Sequence, residues 1–146
     1  MKGHPRVIGY LQRAVSHEFS AAQQYVLQAA QAESWGMQQL AAELRLDVKE
    51  ELCHAETFIR RLLALGVTPR AGELRAPGVG RSHEEMLRLG LATEAEAIRL
   101  YGEARWFCER IGDDENRQVF ARILEDEEDH YQELERQLTA LGVKRA

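Results

Sequence analysis

Cysteine and proline are both scarce in this chain of 146 residues, which has two cysteines, Cys53 and Cys108, and three prolines. Two cysteines are too few for the disulfide frameworks that hold small secreted domains together, so a reducing compartment is expected. With 45% hydrophobic and 29% charged residues, the scarcity of proline fits a helical globular protein rather than a disordered one.

Long apolar runs and an excess of basic residues are also lacking. No stretch approaches the roughly 20 apolar residues of a transmembrane helix, and the start, MKGHPRVIGYLQ, lacks the apolar centre of a signal peptide. The formal net charge is −5 and no basic face stands out, so nucleic acid is not expected as the main partner. These absences predict a cytoplasmic protein.

Four long segments with helical periodicity follow one another along the chain. They are expected at about 5–35, 37–65, 82–111 and 114–141. The first-to-second and third-to-fourth connections are short, so each pair should form an antiparallel hairpin. The Gly- and Pro-rich stretch at about 66–81 is long enough to cross the bundle. The sequence therefore predicts an all-α fold, a single four-helix-bundle domain over residues 1–146 with one long crossover. A helical solenoid is the alternative, but it would need more than two repeats.

An internal repeat of 76 residues relates the two predicted hairpins. The matching pairs are Glu18 and Glu94, Tyr25 and Tyr101, Glu51 and Glu127, and His54 and His130. Each half therefore carries one lone glutamate and one Glu-x-x-His motif, and these fall on the apolar stripes that should face the core. A duplication kept only for packing would explain the repeated leucines, but not polar residues at core positions in both halves.

This pattern indicates a site for two metal ions. Residues three apart on a helix share one face, so the glutamate and histidine of each motif can bind one cation together. Four ionised carboxylates buried without partners would cost several kcal/mol each or would take up protons instead, whereas two divalent cations balance their charge. Mixed carboxylate and imidazole ligands favour iron, with manganese as an alternative. The predicted metal ligands are Glu18, Glu51, His54, Glu94, Glu127 and His130.

Three neighbours of these ligands suggest further roles. Tyr25 and Tyr101 lie two helical turns beyond Glu18 and Glu94 on the same faces. Their phenols could hydrogen-bond to a ligand or donate an electron to oxidised iron, and an aromatic core residue is the alternative at each position. Asp126 could support a ligand without binding the metal itself.

Four other positions are predicted from their place on the helices. Val26 falls on the apolar stripe of the first segment. Cys53 and Cys108 are expected to be small buried hydrophobic residues. His17 is turned away from the face of Glu18, so we expect a structural or surface role for it rather than metal binding.

These residues make the chain resemble a bacterioferritin over nearly its whole length. The stretches that follow the family in order include VIGYLQRAVSHEFSAAQQYVLQA, EELCHAETFIRRLLALG, EEMLRLGLATEAEAIRLY and ILEDEEDHYQELERQL. The resemblance implies a ferritin-like fold and a ferroxidase centre of two irons, each bound by one histidine. It further implies that Glu51 and Glu127 bridge the irons, that Glu18 and Glu94 are terminal carboxylates, and that Tyr25 matches a redox-active tyrosine.

Three departures from the family pattern change what is expected. Bacterioferritins bind haem between two subunits through a methionine; Leu52 stands at that position and cannot ligate iron, which argues against haem in that mode. Leu46 and Glu50 stand where the family's interior iron site has a histidine and an aspartate, so that site is weakened. Because the sequence runs only to LGVKRA, we expect the family's short fifth helix to be lacking. A dimer or a shell of 12 subunits is therefore considered beside one of 24.

Together these features predict a ferroxidase that oxidises Fe(II) with O₂ or H₂O₂ and stores Fe(III) in a closed homo-oligomeric shell built from dimers. A ferredoxin-type reductant is a candidate partner for iron release. One alternative is a peroxide-reducing di-iron protein resembling rubrerythrin, although a Cys-x-x-Cys module is absent. Another is a DNA-protecting mini-ferritin, although the N-terminus, MKGHPR, is short.

Overall fold

The computed structural model describes residues 3–70 and 72–142, and within them it shows four α-helices and no strand. The helices are α1 (Pro5–Ser34), α2 (Gln38–Ala64), α3 (His83–Ile111) and α4 (Asp114–Ala140). The most extensive packing is within the hairpins, α1 against α2 and α3 against α4, and α1 also packs against α3. The predicted all-α four-helix bundle is confirmed. None of the helices in these residues is both long and apolar enough to cross a membrane.

Local sequence signals set the ends of α3 and the start of α4. The Ser82 hydroxyl accepts a hydrogen bond from the backbone N–H of Glu85 at 3.1 Å, which caps the first turn of α3. The Asp113 carboxylate accepts one from the N–H of Asn116 at 3.3 Å and caps α4. Between them, Gly112 ends α3 with a φ of 74°, a left-handed conformation that favours glycine. The chain therefore reverses direction within a very short connection.

The crossover between α2 and α3 is held against α1 by polar side chains. Gln23 Nε2 donates to the carbonyl oxygen of Arg75 at 3.2 Å, and Gln28 Nε2 donates to that of Gly78 at 2.9 Å. The backbone N–H of Arg75 donates to Ser20 Oγ at 3.1 Å. Because α1 supplies all of these partners, the crossover keeps a defined path along the bundle.

The hydrophobic core is interrupted where the predicted ligands lie. On α1, one buried apolar cluster reaches Val15 and the next begins at Ala21, and Glu18 lies between them. The first cluster includes three neighbouring aromatic rings, Phe58, Tyr101 and Phe120, whose centroids are 5.2–6.1 Å apart. Apolar packing on either side of the interruption therefore holds the polar groups in place.

Two predictions of burial are wrong. Val26 is 51% exposed, because the inner face of α1 passes through Tyr25 and Ala29 at this level. A helix of 3.6 residues per turn drifts relative to a simple repeat, so the stripe moves to the neighbouring position. Cys53 is exposed because it points away from the face of α2 that carries His54, whereas Cys108 is buried as expected.

Candidate metal centre

Each of the four helices places one fully buried glutamate in the middle of the bundle. Glu18, Glu51, Glu94 and Glu127 are all 0% exposed. His54 and His130 lie beside them, with 7% and 10% of their side chains exposed. All six predicted ligands therefore share one buried polar cluster. Within it, two groups of side chains have ligand atoms close enough together to hold a metal ion, and Glu51 belongs to both groups.

The first group surrounds the Nδ1 atom of His54. This nitrogen is 2.9 Å from Oε1 of Glu18 and 3.1 Å from Oε1 of Glu127. It is also 3.8 Å from Oε1 of Glu51, three residues earlier on α2. One nitrogen and three carboxylates from three helices thus lie close together in this group.

The second group consists of His130, Glu94 and Glu51. His130 Nδ1 lies 3.2 Å from Oε1 of Glu94. Glu94 also receives a hydrogen bond from the Tyr25 hydroxyl at 2.6 Å, across the interface between α1 and α3. The internal repeat relates Glu18 and His54 of the first group to Glu94 and His130 of the second, and Glu51 belongs to both groups.

The outer nitrogen of each histidine is held by an aspartate. Nε2 of His54 is 2.9 Å from Oδ2 of Asp126, and Nε2 of His130 is 3.2 Å from Oδ2 of Asp47. Each Nε2 therefore faces an aspartate, and each Nδ1 faces the glutamates. Asp126 lies where the sequence suggested a supporting residue, whereas Asp47 was missed. Its position one turn before Glu51 was the available signal.

The glutamates lack enough donors to satisfy them. At least one oxygen of each is buried without a donor from the protein, including both oxygens of Glu51 and Glu127. Buried polar atoms are almost always paired, so such a concentration calls for a partner outside the protein's own groups. Oxygen donors with two imidazole nitrogens match the preferences of Fe(II) and Mn(II). The residues present therefore fit a pair of divalent cations.

Protons balance this charge when no cation does. Burial raises the pKa of Glu127 to about 10 and that of Glu51 well above its usual range. Burial disfavours charge on His54 and His130, but hydrogen bonds to neighbouring carboxylates outweigh it and raise both pKa values to about 11. Burial also opposes the charge of Glu94, yet hydrogen bonds from Glu127 and His130 lower its pKa to about 2. Cations entering the cluster therefore compete with protons.

The two repeated tyrosines and His17 have different surroundings. Tyr25 contacts a predicted ligand through its hydroxyl. The hydroxyl of Tyr101 is buried without a partner, and its ring packs 5.2 Å from that of Phe58. His17 is buried outside the cluster, where its Nδ1 lies 2.9 Å from a guanidinium nitrogen of Arg75. This position agrees with the structural role that was expected for His17 because it is turned away from the face of Glu18.

The positions that depart from the family pattern lie on the outer side of α2. Leu52 is 44% exposed and Leu46 is 63% exposed, and neither offers a ligand atom. Oε1 of Glu50 lies 3.8 Å from Nε2 of His54, and these two residues with Asp126 form a further group of possible donors. The prediction that a fifth helix is lacking concerns the end of the chain, residues 143–146, which lies outside the described residues.

Comparison with known proteins agrees with this architecture. Residues 8–142 match the family model of the ferritin-like domain. The chain is 35% identical to a bacterioferritin of Rhodobacter capsulatus over 139 residues, 95% of this chain and 86% of the relative. It is also 35% identical to a bacterioferritin of Brucella melitensis over 142 residues, 97% of this chain and 88% of the relative. A bacterial ferritin of Synechocystis is 34% identical over 139 residues, with 94% and 89% covered.

The backbone similarity is equally extensive. A solved structure of the Rhodobacter capsulatus bacterioferritin, described as having a metal-free dinuclear site and a haem iron, superposes with a TM-score of 0.93 at 35% identity. The superposition covers 96% of this chain and 88% of that one. Fold, sequence and the repeated carboxylate and histidine motifs agree, and the chain belongs to the ferritin-like family, among the bacterioferritins.

Proposed function

We propose that this protein is a ferroxidase that oxidises Fe(II) to Fe(III) for iron storage and detoxification. The observation that carries the proposal is the set of four fully buried glutamates, each with at least one oxygen that lacks a protein donor. Membership of the bacterioferritins supports iron as the substrate. In this proposal Fe(II) is bound as substrate, and its electrons pass to O₂ or H₂O₂.

The geometry supports a role for each ligand. Glu51 belongs to both groups of donors, and Glu127 lies close to His54 of the first group and Glu94 of the second. Both glutamates are therefore placed to bridge two ions. Glu18 with His54 would complete one site, and Glu94 with His130 would complete the other.

The surrounding residues orient the ligands and handle protons. Asp126 and Asp47 hold the imidazoles so that each Nδ1 faces inward. Tyr25 donates to Glu94 and is placed to supply an electron or a proton next to that site. Cations displace the protons that balance the glutamates in their absence, so binding should release protons and tighten as the pH rises.

All six proposed ligands lie on one chain, which favours this function over that of a mini-ferritin with its metal site across a dimer interface. We further propose a cytoplasmic homo-oligomeric shell that stores the Fe(III), and release of iron by a ferredoxin-type reductant. Native mass measurement would give the subunit number. Faster Fe(II) oxidation by H₂O₂ than by O₂, without mineral visible by electron microscopy, would support the rubrerythrin-like alternative instead.

Replacing Glu127 by alanine tests the centre directly. Glu127→Ala should lower the stopped-flow rate of Fe(II) oxidation by more than about 100-fold, since changes outside the ligand shell already cost about 10- to 100-fold. Glu128→Ala is the matched control, because Glu128 is the exposed neighbour on α4. Circular dichroism should show intact helices in both variants. A Glu127→Ala variant with the unmodified rate would refute the proposed site.

A further inference from the structure

The two halves of the internal repeat differ next to the metal centre. On α4, Val119 and Ile123 belong to the main apolar core, where Ile123 is 1% exposed. The residues 76 positions earlier, on α2, are Glu43 and Asp47. At these two equivalent positions, the second half of the chain has apolar side chains that pack in the core, and the first half has carboxylates. Packing alone does not explain this difference.

The acidic half also contains a narrow fissure that the apolar half fills. A cavity of about 20 Å³ is lined by residues that include Tyr25, Glu43, Leu44, Asp47, Leu134 and Gln137. It shares Leu40, Glu43 and Gln137 with a shallow depression on the surface. The cavity volume corresponds to about one water molecule. In the other half, the counterparts of Leu44 and Leu134 are Phe120 and Phe58, both 0% exposed.

The inner end of the fissure reaches residues that touch the centre. Asp47 Oδ2 lies 3.2 Å from Nε2 of His130, and the Tyr25 hydroxyl donates to Glu94 at 2.6 Å. Along α2, carboxylates at Glu43, Asp47 and Glu51 follow one another at intervals of one turn, about 6 Å. Glu43 is exposed, Asp47 is partly buried and Glu51 is fully buried. Carboxyl groups thus continue along α2 from solvent to the centre.

We propose that this fissure is the path by which divalent cations, Fe(II) among them, enter the centre from this end of the bundle. Glu43 stands at the mouth and attracts the cation, and Asp47 replaces water ligands as the cation moves inward. The ion then reaches Glu94 and His130. Carboxylates lining a narrow cleft raise the local cation concentration and the rate of association. This inference rests on the proposed function, because a path requires a cation site at its end.

The test measures the rate of cation binding separately from oxidation. Co(II) alone is the probe, followed by stopped-flow absorbance of its d–d bands in the full chain. Glu43→Gln keeps the shape of the side chain and its contact with Gln39. The second-order rate constant should fall on the order of tenfold at low salt, and the difference should shrink at about 1 M salt, where the Debye length is about 3 Å.

Two further variants separate charge from width. Glu109→Gln removes the same charge from an exposed position near the C-terminal end of α3, whereas the fissure lies near the N-terminal end of that helix. This variant should bind Co(II) at the unmodified rate. Leu44→Phe introduces the residue found at the equivalent position of the apolar half, Phe120, and should slow binding by narrowing the fissure without changing charge. The amount of Co(II) bound per chain at equilibrium should stay the same in Glu43→Gln and Glu109→Gln.

The outcomes distinguish the path from the site. Failure of the unmodified chain to bind Co(II) would refute the proposed function and the path with it. Normal Co(II) binding with equal rates in Glu43→Gln and Glu109→Gln would refute the path alone. If Leu44→Phe loses helical structure, the Glu43→Gln comparison decides by itself, because an exposed glutamate does not support the core.

Discussion

The hydroxyls of the two repeated tyrosines have opposite hydrogen-bonding states, although the residues are related by the 76-residue repeat. The Tyr25 hydroxyl donates a hydrogen bond to a charged acceptor, Oε1 of Glu94, at 2.6 Å. Tyr101 buries its hydroxyl without a partner among aromatic rings. At the scale of single residues, the same substitution at these two sites should therefore have different consequences.

Replacing each tyrosine by phenylalanine measures that difference. Tyr25→Phe removes a hydrogen bond to a charged group and should lower the free energy of unfolding of the metal-free protein by about 1.5–3 kcal/mol. Tyr101→Phe removes an unpaired buried hydroxyl and should leave this free energy unchanged or raise it. Urea denaturation of both variants provides the measurement. Equal losses in the two would contradict the hydrogen-bonding states seen in the structure.

His17 should make the protein sensitive to acid. Burial, with a smaller contribution from the Arg75 guanidinium, lowers the pKa of His17 from 6.5 to about 4. As the pH falls below 6.5, the unfolded chain binds a proton at this residue before the folded chain does, so stability is lost between these two values. Between about pH 7.5 and pH 4, this loss should reach about 3 kcal/mol.

The His17→Gln variant isolates this contribution. Its free energy of unfolding, followed by urea denaturation across the acid range, should fall less steeply with decreasing pH than that of the unmodified chain. The other buried titrating groups are present in both proteins and contribute similarly to each. Parallel pH dependences would show that His17 does not stay neutral in the folded state.

At the scale of elements, the crossover depends on a close approach of its backbone to α3. Gly80 has a φ of 91°, and a Cβ built on it would lie 2.8 Å from the backbone nitrogen of Met86. Gly36, in the turn between α1 and α2, has a φ of 79° but has open space around it. Gly80 is therefore required both by its left-handed backbone conformation and by the lack of room for a Cβ atom, whereas Gly36 is required by its conformation alone.

Alanine substitutions should rank these two glycines. Gly36→Ala should destabilise the protein by about 1–2 kcal/mol, the cost of a left-handed conformation. Gly80→Ala should cost at least about 3 kcal/mol, because displacement of the α3 backbone adds to the same conformational penalty. Thermal unfolding gives the ranking, and limited proteolysis should cut the crossover faster in Gly80→Ala. Equal destabilisation would mean that the crossover moves aside freely.

For the whole molecule, cation binding and folding are coupled through the buried cluster. The four helices bring the glutamates together only in the folded state, so a cation bound there stabilises that state. Co(II) at 100 times its dissociation constant should raise the free energy of unfolding by about 2.7 kcal/mol for one site, and EDTA should reverse the gain. The gain should disappear in Glu127→Ala and persist in Glu128→Ala. A stabilisation retained in Glu127→Ala would place the bound cation elsewhere.

The sequence by itself determined the helices and the inward face of each Glu-x-x-His motif. These features are local, since helical periodicity, the cap at Ser82 and the spacing of Glu51 and His54 each depend on a few neighbouring residues. The 76-residue repeat extended this reasoning to the second half of the chain. The convergence of six polar groups could therefore be predicted from residue spacing and the cost of burying charge.

Only the tertiary structure decided which groups meet across helices. The pairing of Asp47 with His130, the hydrogen bond from Tyr25 to Glu94 and the orientation of each imidazole depend on how far each helix is rotated against its neighbours. A rotation of one residue position is about 100°, enough to turn Val26 to solvent against expectation. Periodicity in the sequence gives the inward face of a helix only to within about one residue position. Contacts of about 3 Å between helices depend on the packed arrangement of all four helices.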